Sequence, residues 1–193
     1  MIERSAERDG AILATLPHVP RLGWTEAALE AGLRGIGEEP AAHRWLFPTG
    51  PVGAVEAWID LADRRMEEAA AREDLSVLRI PGRIRRLVEI RLDHASHQRQ
   101  ALRRALALLA LPWNAGAAAR TLARSADSIW AAAGDTSADF SWYTRRASLA
   151  GLYAATLAYW LREPEDTLAA LDFLDRRMSG LARVMRPRAA KAA

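Results

Sequence analysis

Helix-forming residues, interrupted by proline and glycine, dominate this 193-residue sequence. Ala, Leu, Arg and Glu fill most segments, β-branched residues are few, and no stretch alternates apolar and polar residues as a strand would. The interruptions are clear, as in the segments PHVPRLG (17–23) and FPTGPVG (47–53). The sequence therefore predicts an all-α protein, and its length fits one domain.

About nine helices fit between the interruptions. Thr25, Ser96 and Asn114 are expected to cap helix N-termini, and Pro81 suits a first helical turn. We predict helices at 3–16, 25–34, 40–47, 54–73, 81–93, 96–111, 114–133, 137–161 and 165–183. The first three have the proportions of a helix-turn-helix. The single domain, residues 1–193, then consists of a head (1–53), a larger helical part (54–183) and a basic tail (184–193).

The sequence contains no recognisable catalytic or metal site. Cysteine is absent, which excludes thiol catalysis, thiolate-bound metals and redox switching. His94 and His97 stand three residues apart beside Asp93, but a helix break is expected at Ser96 and no further ligand cluster accompanies them. Ser-His-Asp spacing, a nucleophile elbow and a glycine-rich phosphate loop are all missing. We predict a non-enzymatic protein without cofactor or metal.

The charge of the head argues against DNA binding. Between positions 24 and 60 six acidic residues face two arginines, a net charge of −4. A DNA-binding head must bring positive charge to phosphates. The third predicted helix offers only His43 and Arg44 as base-reading side chains, so we predict no nucleic-acid partner.

The basic excess lies further along the chain. Between positions 79 and 104 eight arginines face two acidic residues, a net charge of +6. One interpretation is a solvated helix face whose charges pair with neighbours. The other is a surface for anionic lipid or for an acidic partner.

Targeting and membrane-spanning signals are not visible in the sequence. The N-terminus lacks the apolar segment of a secretory signal. The longest weakly polar run, residues 149–161, is too short to span a bilayer. These features predict a cytoplasmic protein.

The predicted helix at 137–161 carries two stripes. One stripe, at spacings of four and three, consists of Trp142, Arg146, Leu149, Tyr153, Thr156 and Trp160. The other consists of the small residues Ala147, Gly151, Ala155 and Ala158. Small residues either let a neighbouring helix pack closely or leave room for an elongated apolar cavity, which would fit a lipid tail.

Acidic, basic and aromatic residues are combined at the start of this helix. Asp139, Trp142, Tyr143, Arg145 and Arg146 follow the turn GDTS (134–137). Exposed together, such residues are typical of a protein–protein hot spot, whereas core packing could absorb Trp142 or Tyr143.

The segment GDTSADFSWYTRRASLAGLYAATLAYW (134–160) resembles a known family, the accessory lipid-binding proteins of ubiquinone biosynthesis, the ninth of the Coq proteins. The resemblance continues into FLDRRM (173–178) and back through ALRRALALLALPWNAGAAAR (101–120) and SADSIW (125–130). LPHVPRLGWTEAAL (16–29) and RWLFPTGP (44–51) resemble the family's N-terminal half. Together these segments cover most of residues 13–180.

This resemblance implies a TetR-like fold whose degenerate helix-turn-helix head no longer serves DNA. Family members bind isoprenoid quinones and their precursors in an apolar cavity and are not known as enzymes. They present the demethoxy precursor to the di-iron demethoxyubiquinone hydroxylase. The resemblance thus implies a non-catalytic homodimer that binds an isoprenoid quinone or phospholipid, and it places the protein in the cytoplasm, peripheral at the inner face of the bacterial membrane.

Site residues follow from the same resemblance. The family's hydroxylase-binding patch is matched here by Asp139, Trp142, Tyr143 and Arg146. The residues that we expect to contact lipid are Leu149, Tyr153, Ala154, Leu157 and Trp160. Mitochondrial members also carry a transit peptide and a separate amphipathic C-terminal helix. Here an apolar stripe flanked by arginines predicts reversible membrane attachment and consists of Leu174, Met178, Leu181 and Met185.

Two other functions stay open. A TetR-type transcriptional regulator that senses a hydrophobic ligand would bind duplex DNA in a salt-dependent way. A structural helical protein without ligand would use the small-residue stripe only for packing.

Overall fold

The computed structural model describes residues 4–134, 141–162 and 167–184, with the side chains of 141–143 and 181–184 excluded. Within these ranges the chain forms ten α-helices and no β-strand, which confirms the all-α prediction. The helices are α1 (Ala6–Thr15), α2 (Val19–Leu22), α3 (Glu26–Gly35), α4 (His43–Leu46), α5 (Gly50–Ala70), α6 (Ile80–Ala95), α7 (Arg99–Leu109), α8 (Ala115–Ala132), α9 (Ser141–Arg162) and α10 (Thr167–Val184). Short 3₁₀ turns link several of them.

One of the three predicted N-caps is present. The hydroxyl of Thr25 accepts the backbone N–H of Ala28 at 3.3 Å at the start of α3. The prediction for Ser96 is wrong, and Asn114 occupies the N-cap position of α8 without a capping hydrogen bond from its side chain. The Ser96 hydroxyl donates to the carbonyl of Asp93 at 2.7 Å, and the Asn114 amide donates to the carbonyl of Leu108 at 2.8 Å.

The reason is the same at both positions. A capping residue needs extended backbone. Ser96 instead has helical angles, φ −55° and ψ −45°, and both residues belong to 3₁₀ turns that precede α7 and α8. At these two positions the chain therefore passes from helix to helix through a tight turn, without a side-chain cap.

The head has the expected helix-turn-helix outline. After α3 the chain turns at Gly37, which has φ +78°, and enters a 3₁₀ turn, Pro40–Ala42, that continues into the four-residue α4. His43 is only 3% exposed, and its Nε2 lies 4.0 Å from Glu30 Oε1. Of the two side chains expected to read bases, only Arg44 is exposed.

Helix α5 is central to the larger helical part and packs against α1, α6 and α8. Helix α9 lies between α8 and α10, and α10 returns onto α6. Trp24 of the head packs on Trp58 of α5 with ring centroids 5.3 Å apart, and its Nε1–H donates to the carbonyl of Ala101 on α7. Head and larger part thus share one continuous hydrophobic core.

A row of buried carboxylates runs along α5. Glu56, Asp60 and Asp63 are spaced by four and three residues, so they share one face of the helix. Asp60 accepts two hydrogen bonds from Arg4, at 3.1 and 2.9 Å, and one from Arg64 at 3.1 Å. Buried carboxylates of this kind must be paired, so they specify which helices can lie against α5.

No helix among the described residues is both long enough and apolar enough to cross a bilayer. The weakly polar run noted in the sequence forms part of α9, where Leu149, Tyr153 and Leu157 are buried in the core.

We expect Gly32→Ala to lower the free energy of unfolding by about 1–3 kcal/mol. A Cβ at position 32 of α3 would lie 2.7 Å from the backbone nitrogen of Thr15 in α1, so the two helices would have to separate. Gly10→Ala is the matched control, because a Cβ there meets nothing within 4 Å. It should stabilise α1 by about 0.5–1 kcal/mol. Urea unfolding measures both, and equal stability of Gly32→Ala and wild type would contradict this packing.

The stability of the protein should depend on Asp60 in acid. Burial alone would raise the pKa of this carboxyl, but hydrogen bonds from Arg4 and Arg64 outweigh burial and lower it. Because the pKa of Asp60 is lower in the folded than in the unfolded protein, Asp60 stabilises the fold at any pH above about 4, its pKa in the unfolded chain. This contribution is lost as the pH falls through the pKa in the folded protein. Asp60→Asn should cost about 1–3 kcal/mol at pH 7. In urea titrations the difference in free energy of unfolding between Asp60→Asn and wild type should become smaller below about pH 4. A difference that does not change with pH would contradict the role of the ionised Asp60.

Candidate functional site

Helices α5 to α9 surround a cavity of about 280 Å³ in the larger helical part. Positions three and four apart place apolar side chains of each helix on the face toward this space. The apolar lining consists of Trp58, Ile59, Leu61 and Ala62 from α5, Ala95 from α6, Leu102, Leu106 and Leu109 from α7, Ala118 and Leu122 from α8, and Ala154 and Leu157 from α9. Ala110, after α7, completes this lining. The cavity therefore favours an apolar occupant over water.

Arg91, Tyr153 and Ser125 line one wall of the cavity and form a buried polar cluster with Asp63, which is not among the lining residues. Arg91 Nη2 lies 3.2 Å from Asp63 Oδ1, and Arg91 Nε donates to the Tyr153 hydroxyl at 3.1 Å. Ser125 Oγ donates to the other oxygen of Asp63 at 2.9 Å. Burial raises the pKa of the Tyr153 hydroxyl, which therefore stays protonated near neutral pH.

Thr121 of α8 adds a hydroxyl to this lining. The residue is 3% exposed, and its Oγ1 has no hydrogen-bond partner among the described residues. An unsatisfied buried hydroxyl costs about 1–3 kcal/mol, which a ligand oxygen could recover. An otherwise apolar cavity with a few hydrogen-bonding groups suits a ligand that combines an apolar body with an oxygen-bearing group.

A second space, a groove of about 430 Å³, lies next to the cavity between α5 and α6. Arg65 and His94 line both spaces. The groove is completed by Glu68, Ala69, Arg72, Asp93 and His97. In the part of the chain that the structure describes, no group of three or more His, Cys, Asp or Glu side chains is placed to hold a metal ion.

The five residues expected to contact lipid lie in two places. Tyr153, Ala154 and Leu157 line the cavity. Leu149 and Trp160 are buried in the core but are not among the lining residues.

Trp160 instead joins α9 to two neighbouring helices. Its ring lies 3.7 Å from the guanidinium carbon of Arg99 on α7. Its Nε1–H donates to the hydroxyl of Thr167 on α10 at 3.2 Å. The position of Trp160 in the structure is therefore that of a packing residue.

The small-residue stripe lies on the outer face of α9. Ala147, Gly151, Ala155 and Ala158 are all exposed, and a Cβ at Gly151 would meet nothing within 4 Å. For a single chain both expectations for this stripe are therefore wrong, since it neither packs on a neighbouring helix nor opens into the cavity. The cavity face is the adjacent one, which carries Ala154.

The structure describes only part of the expected hydroxylase-binding patch. Arg146 is half-buried, and its Nε lies 2.7 Å from Asp127 Oδ1 on α8. Trp142 and Tyr143 belong to the first turn of α9, but their side chains fall outside the described residues, as does Asp139 altogether. The patch stays a prediction from the sequence.

The expected C-terminal apolar stripe is not free for membrane contact along its whole length. Leu174 is fully buried and Met178 is half-buried against the core. The side chain of Leu181 and the whole of Met185 lie outside the described residues. The expectation is wrong at Leu174 because this face of α10 packs onto the bundle.

Sequence reasoning missed the polar cluster and Thr121. Arg91 belonged to the basic segment interpreted as a solvated face or lipid surface, yet it is buried beside Asp63. The available signal was the spacing of Glu56, Asp60 and Asp63, which places three acids on a helix face that also carries apolar residues.

The sequence is similar to a family of known proteins. The sequence model of the COQ9 family matches residues 115–185, the part that contains α8 to α10. The chain is 30% identical to the mitochondrial ubiquinone biosynthesis protein coq9 of Schizosaccharomyces pombe, over 80% of this chain and 61% of that protein. It is 31% identical to the COQ9 proteins of Rattus norvegicus and Drosophila melanogaster, over 83% and 86% of this chain and 55% and 52% of theirs. The chain thus spans about half to three fifths of the length of these relatives.

A solved structure shows the same fold. A TetR transcriptional regulator from Nitrosomonas europaea superposes with a TM-score of 0.72, over 93% of this chain and 99% of the regulator. At 20% sequence identity this likeness concerns the fold alone. The chain is therefore a relative of the COQ9 family that adopts a TetR-like, all-helical fold.

Proposed function

We propose that this chain is a non-catalytic accessory protein of ubiquinone biosynthesis, which binds an isoprenoid quinone precursor and presents it to the demethoxyubiquinone hydroxylase. The relationship to COQ9 proteins supports the pathway, because those relatives are named as ubiquinone biosynthesis proteins. The observation that carries lipid binding is the apolar cavity between α5 and α9.

The composition of the cavity wall suits an isoprenoid. Each buried CH₂ group contributes about 0.8 kcal/mol, so each buried five-carbon isoprene unit contributes about 4 kcal/mol toward binding. The cavity volume of about 280 Å³ lies near the lower end of small-molecule sites, which span about 300–1,000 Å³. It holds a section of a polyprenyl quinone, and the rest of the molecule extends outward or stays in the bilayer.

Presentation explains why a non-catalytic protein is useful in such a pathway. A polyprenyl quinone is nearly insoluble in water, so an enzyme that acts on its ring gains if another protein lifts it from the bilayer. The hydroxylase supplies the reactive metal. In this proposal Asp139, Trp142, Tyr143 and Arg146 form the contact with that enzyme. The ion pair with Asp127 holds Arg146, the one patch member whose side chain the structure describes, against α8.

The remaining expectations belong to the same proposal. The chain acts at the inner face of the bacterial membrane as a peripheral protein, with phospholipid as an alternative occupant of its cavity. It has no nucleic-acid partner, which the acidic head and the burial of His43 support. Residues 54–183 serve as the lipid-binding part.

A homodimer is also part of the proposal. What supports it is the exposed stripe of small residues on α9, because residues without long side chains allow a helix of a second copy to approach closely. Leu168 on the neighbouring α10 is an exposed apolar side chain as well.

Filling the cavity should abolish lipid uptake. We expect Ala118→Phe, which projects a ring into the cavity from α8, to lower bound quinone per chain about fivefold or more. Ala131→Phe is the matched control, because Ala131 is exposed at the other end of the same helix. The measurement is absorbance of short-chain ubiquinone that co-elutes with the protein after incubation in detergent. Equal uptake by both variants and wild type would refute a ligand in this cavity.

The hydroxylase contact should depend on Trp142. We expect Trp142→Ala to weaken hydroxylase binding by about 1–3 kcal/mol, as truncation of an aromatic anchor does, while fold and bound lipid are retained. Isothermal titration with the purified hydroxylase measures the affinity, and circular dichroism checks the fold. Trp45→Ala, at an exposed tryptophan of the head, serves as control and should bind normally. An unfolded Trp142→Ala protein would show that Trp142 is a core residue.

A further inference from the structure

The connection between α7 and α8 is an exposed apolar turn, which we call the apolar tip and define as residues 110–116, ALPWNAG. Trp113 at its centre is 77% exposed, more than any other tryptophan among the described side chains. Ala110, Pro112, Ala115 and Gly116 are exposed beside it. An exposed tryptophan among uncharged neighbours is costly in water and indicates a contact with another phase or molecule.

The apolar tip offers no polar side chain to solvent. Asn114 is its single polar residue, and this side chain is buried and donates its amide to the carbonyl of Leu108 at 2.8 Å. The uncharged segment is longer than the tip itself, since residues 105–119 contain no charged side chain. Within this stretch the exposed residues of the turn, Ala110, Pro112, Trp113, Ala115 and Gly116, lie together where α7 ends and α8 begins.

Each of the two helices that meet at the apolar tip carries an arginine at the same distance from its end. Arg104 lies five residues before the end of α7 at Leu109, and Arg120 lies five residues after the start of α8 at Ala115. At a rise of 1.5 Å per residue, each guanidinium-bearing position is about 7.5 Å back from the turn along its helix. An amphipathic segment typically sinks about 5–10 Å into the headgroup and acyl boundary. With both helix axes along the bilayer normal, these arginines would lie at the depth of the lipid phosphates.

The contacts of these arginines leave most of their charge available. Arg103 and Arg104 donate to backbone carbonyls, those of Leu161 at 2.8 Å and Pro20 at 2.7 Å, and a carbonyl does not neutralise a guanidinium. Arg120 pairs with Glu56 at 3.1 Å while its side chain remains two-thirds exposed. Between Asp93 and Asp127 the sequence has five arginines and no acidic residue. The surface around the apolar tip thus attracts anions and does not repel them.

The apolar tip is continuous with the cavity. Leu109 and Ala110 on one side of the turn, and Ala118 on the other, line the cavity wall. The apolar tip carries a tryptophan, which is a side chain that favours the membrane interface, and arginines lie behind it on both helices. This combination matches the surface of a lipid bilayer.

We propose that residues 110–116 insert into the surface of an anionic bilayer, with Trp113 as interfacial anchor and Arg103, Arg104 and Arg120 at the lipid phosphates. This docking places the cavity directly against the bilayer. The inference rests on the proposed function in one respect, that the cavity takes its lipid from a membrane.

Flotation of the full-length protein with phosphatidylcholine–phosphatidylglycerol vesicles tests the docking site. Trp113→Ala should lower the partition constant about tenfold, because the ring leaves the interface without a replacement. Trp45→Ala is the matched control, since this head tryptophan is also exposed, at 59%, but has no apolar turn around it, and it should float like wild type. Thermal unfolding by circular dichroism verifies that both variants fold.

Charge is tested at Arg104. Arg104→Gln should reduce binding to the anionic vesicles about fivefold, whereas Arg104→Lys keeps the charge and should retain it. On vesicles of pure phosphatidylcholine, both variants should bind as wild type does.

Three results would overturn the proposal. One is wild-type protein that does not float, and another is Trp113→Ala that floats as well as wild type. The third is Trp113→Ala that keeps vesicle binding but loses the hydroxylase, which would make the apolar tip a protein contact. Failure of the proposed function shows differently, because wild-type protein would then take up no quinone from detergent, whatever its flotation.

Discussion

Three buried carboxylates on one face of α5 set the arrangement of the larger helical part. Glu56, Asp60 and Asp63 each meet a cation from elsewhere in the chain, among them Arg120 and Arg91. Of these pairs Arg91–Asp63 is buried on both sides, and removing one partner of such a pair costs about 3–5 kcal/mol, because the other charge is left in a poor solvent. A sliding or rotated α5 would break all three contacts together, so the register of α5 against α6 and α8 is fixed by charge.

This constraint bears directly on the cavity. Helices that meet only through apolar side chains tend to close any space between them, since contact with neighbours is more favourable than a void. Here the pairs Arg91–Asp63 and Arg120–Glu56 hold α6 and α8 at α5 beside the cavity. The space between them therefore persists without being filled by side chains. Under the proposed lipid-binding function, charged contacts of this kind would keep the cavity open while the protein is empty.

The sequence predicted the helices better than the site. Helix periodicity and proline or glycine breaks are local signals, and they located every long helix to within about one turn. The predictions failed where backbone geometry or tertiary contacts decide. Ser96 and Asn114 lie in 3₁₀ turns and their side chains cap no helix, although Asn114 occupies the N-cap position of α8. The small stripe around Gly151 faces outward, because sequence spacing shows which residues share a face but not which way that face points. Arg91 was grouped with surface arginines because its partner Asp63 lies on another helix, at a separation that no local pattern reveals.

The central claim, that the cavity holds lipid, is tested most directly by mass spectrometry of an organic extract from the purified wild-type protein. An equal mass of an unrelated helical protein, prepared identically, is the reference. The account predicts isoprenoid quinone or phospholipid enriched to near one molecule per chain. An extract indistinguishable from the reference would contradict it, leaving the TetR-like fold and the relationship to COQ9 intact while removing lipid presentation as the function.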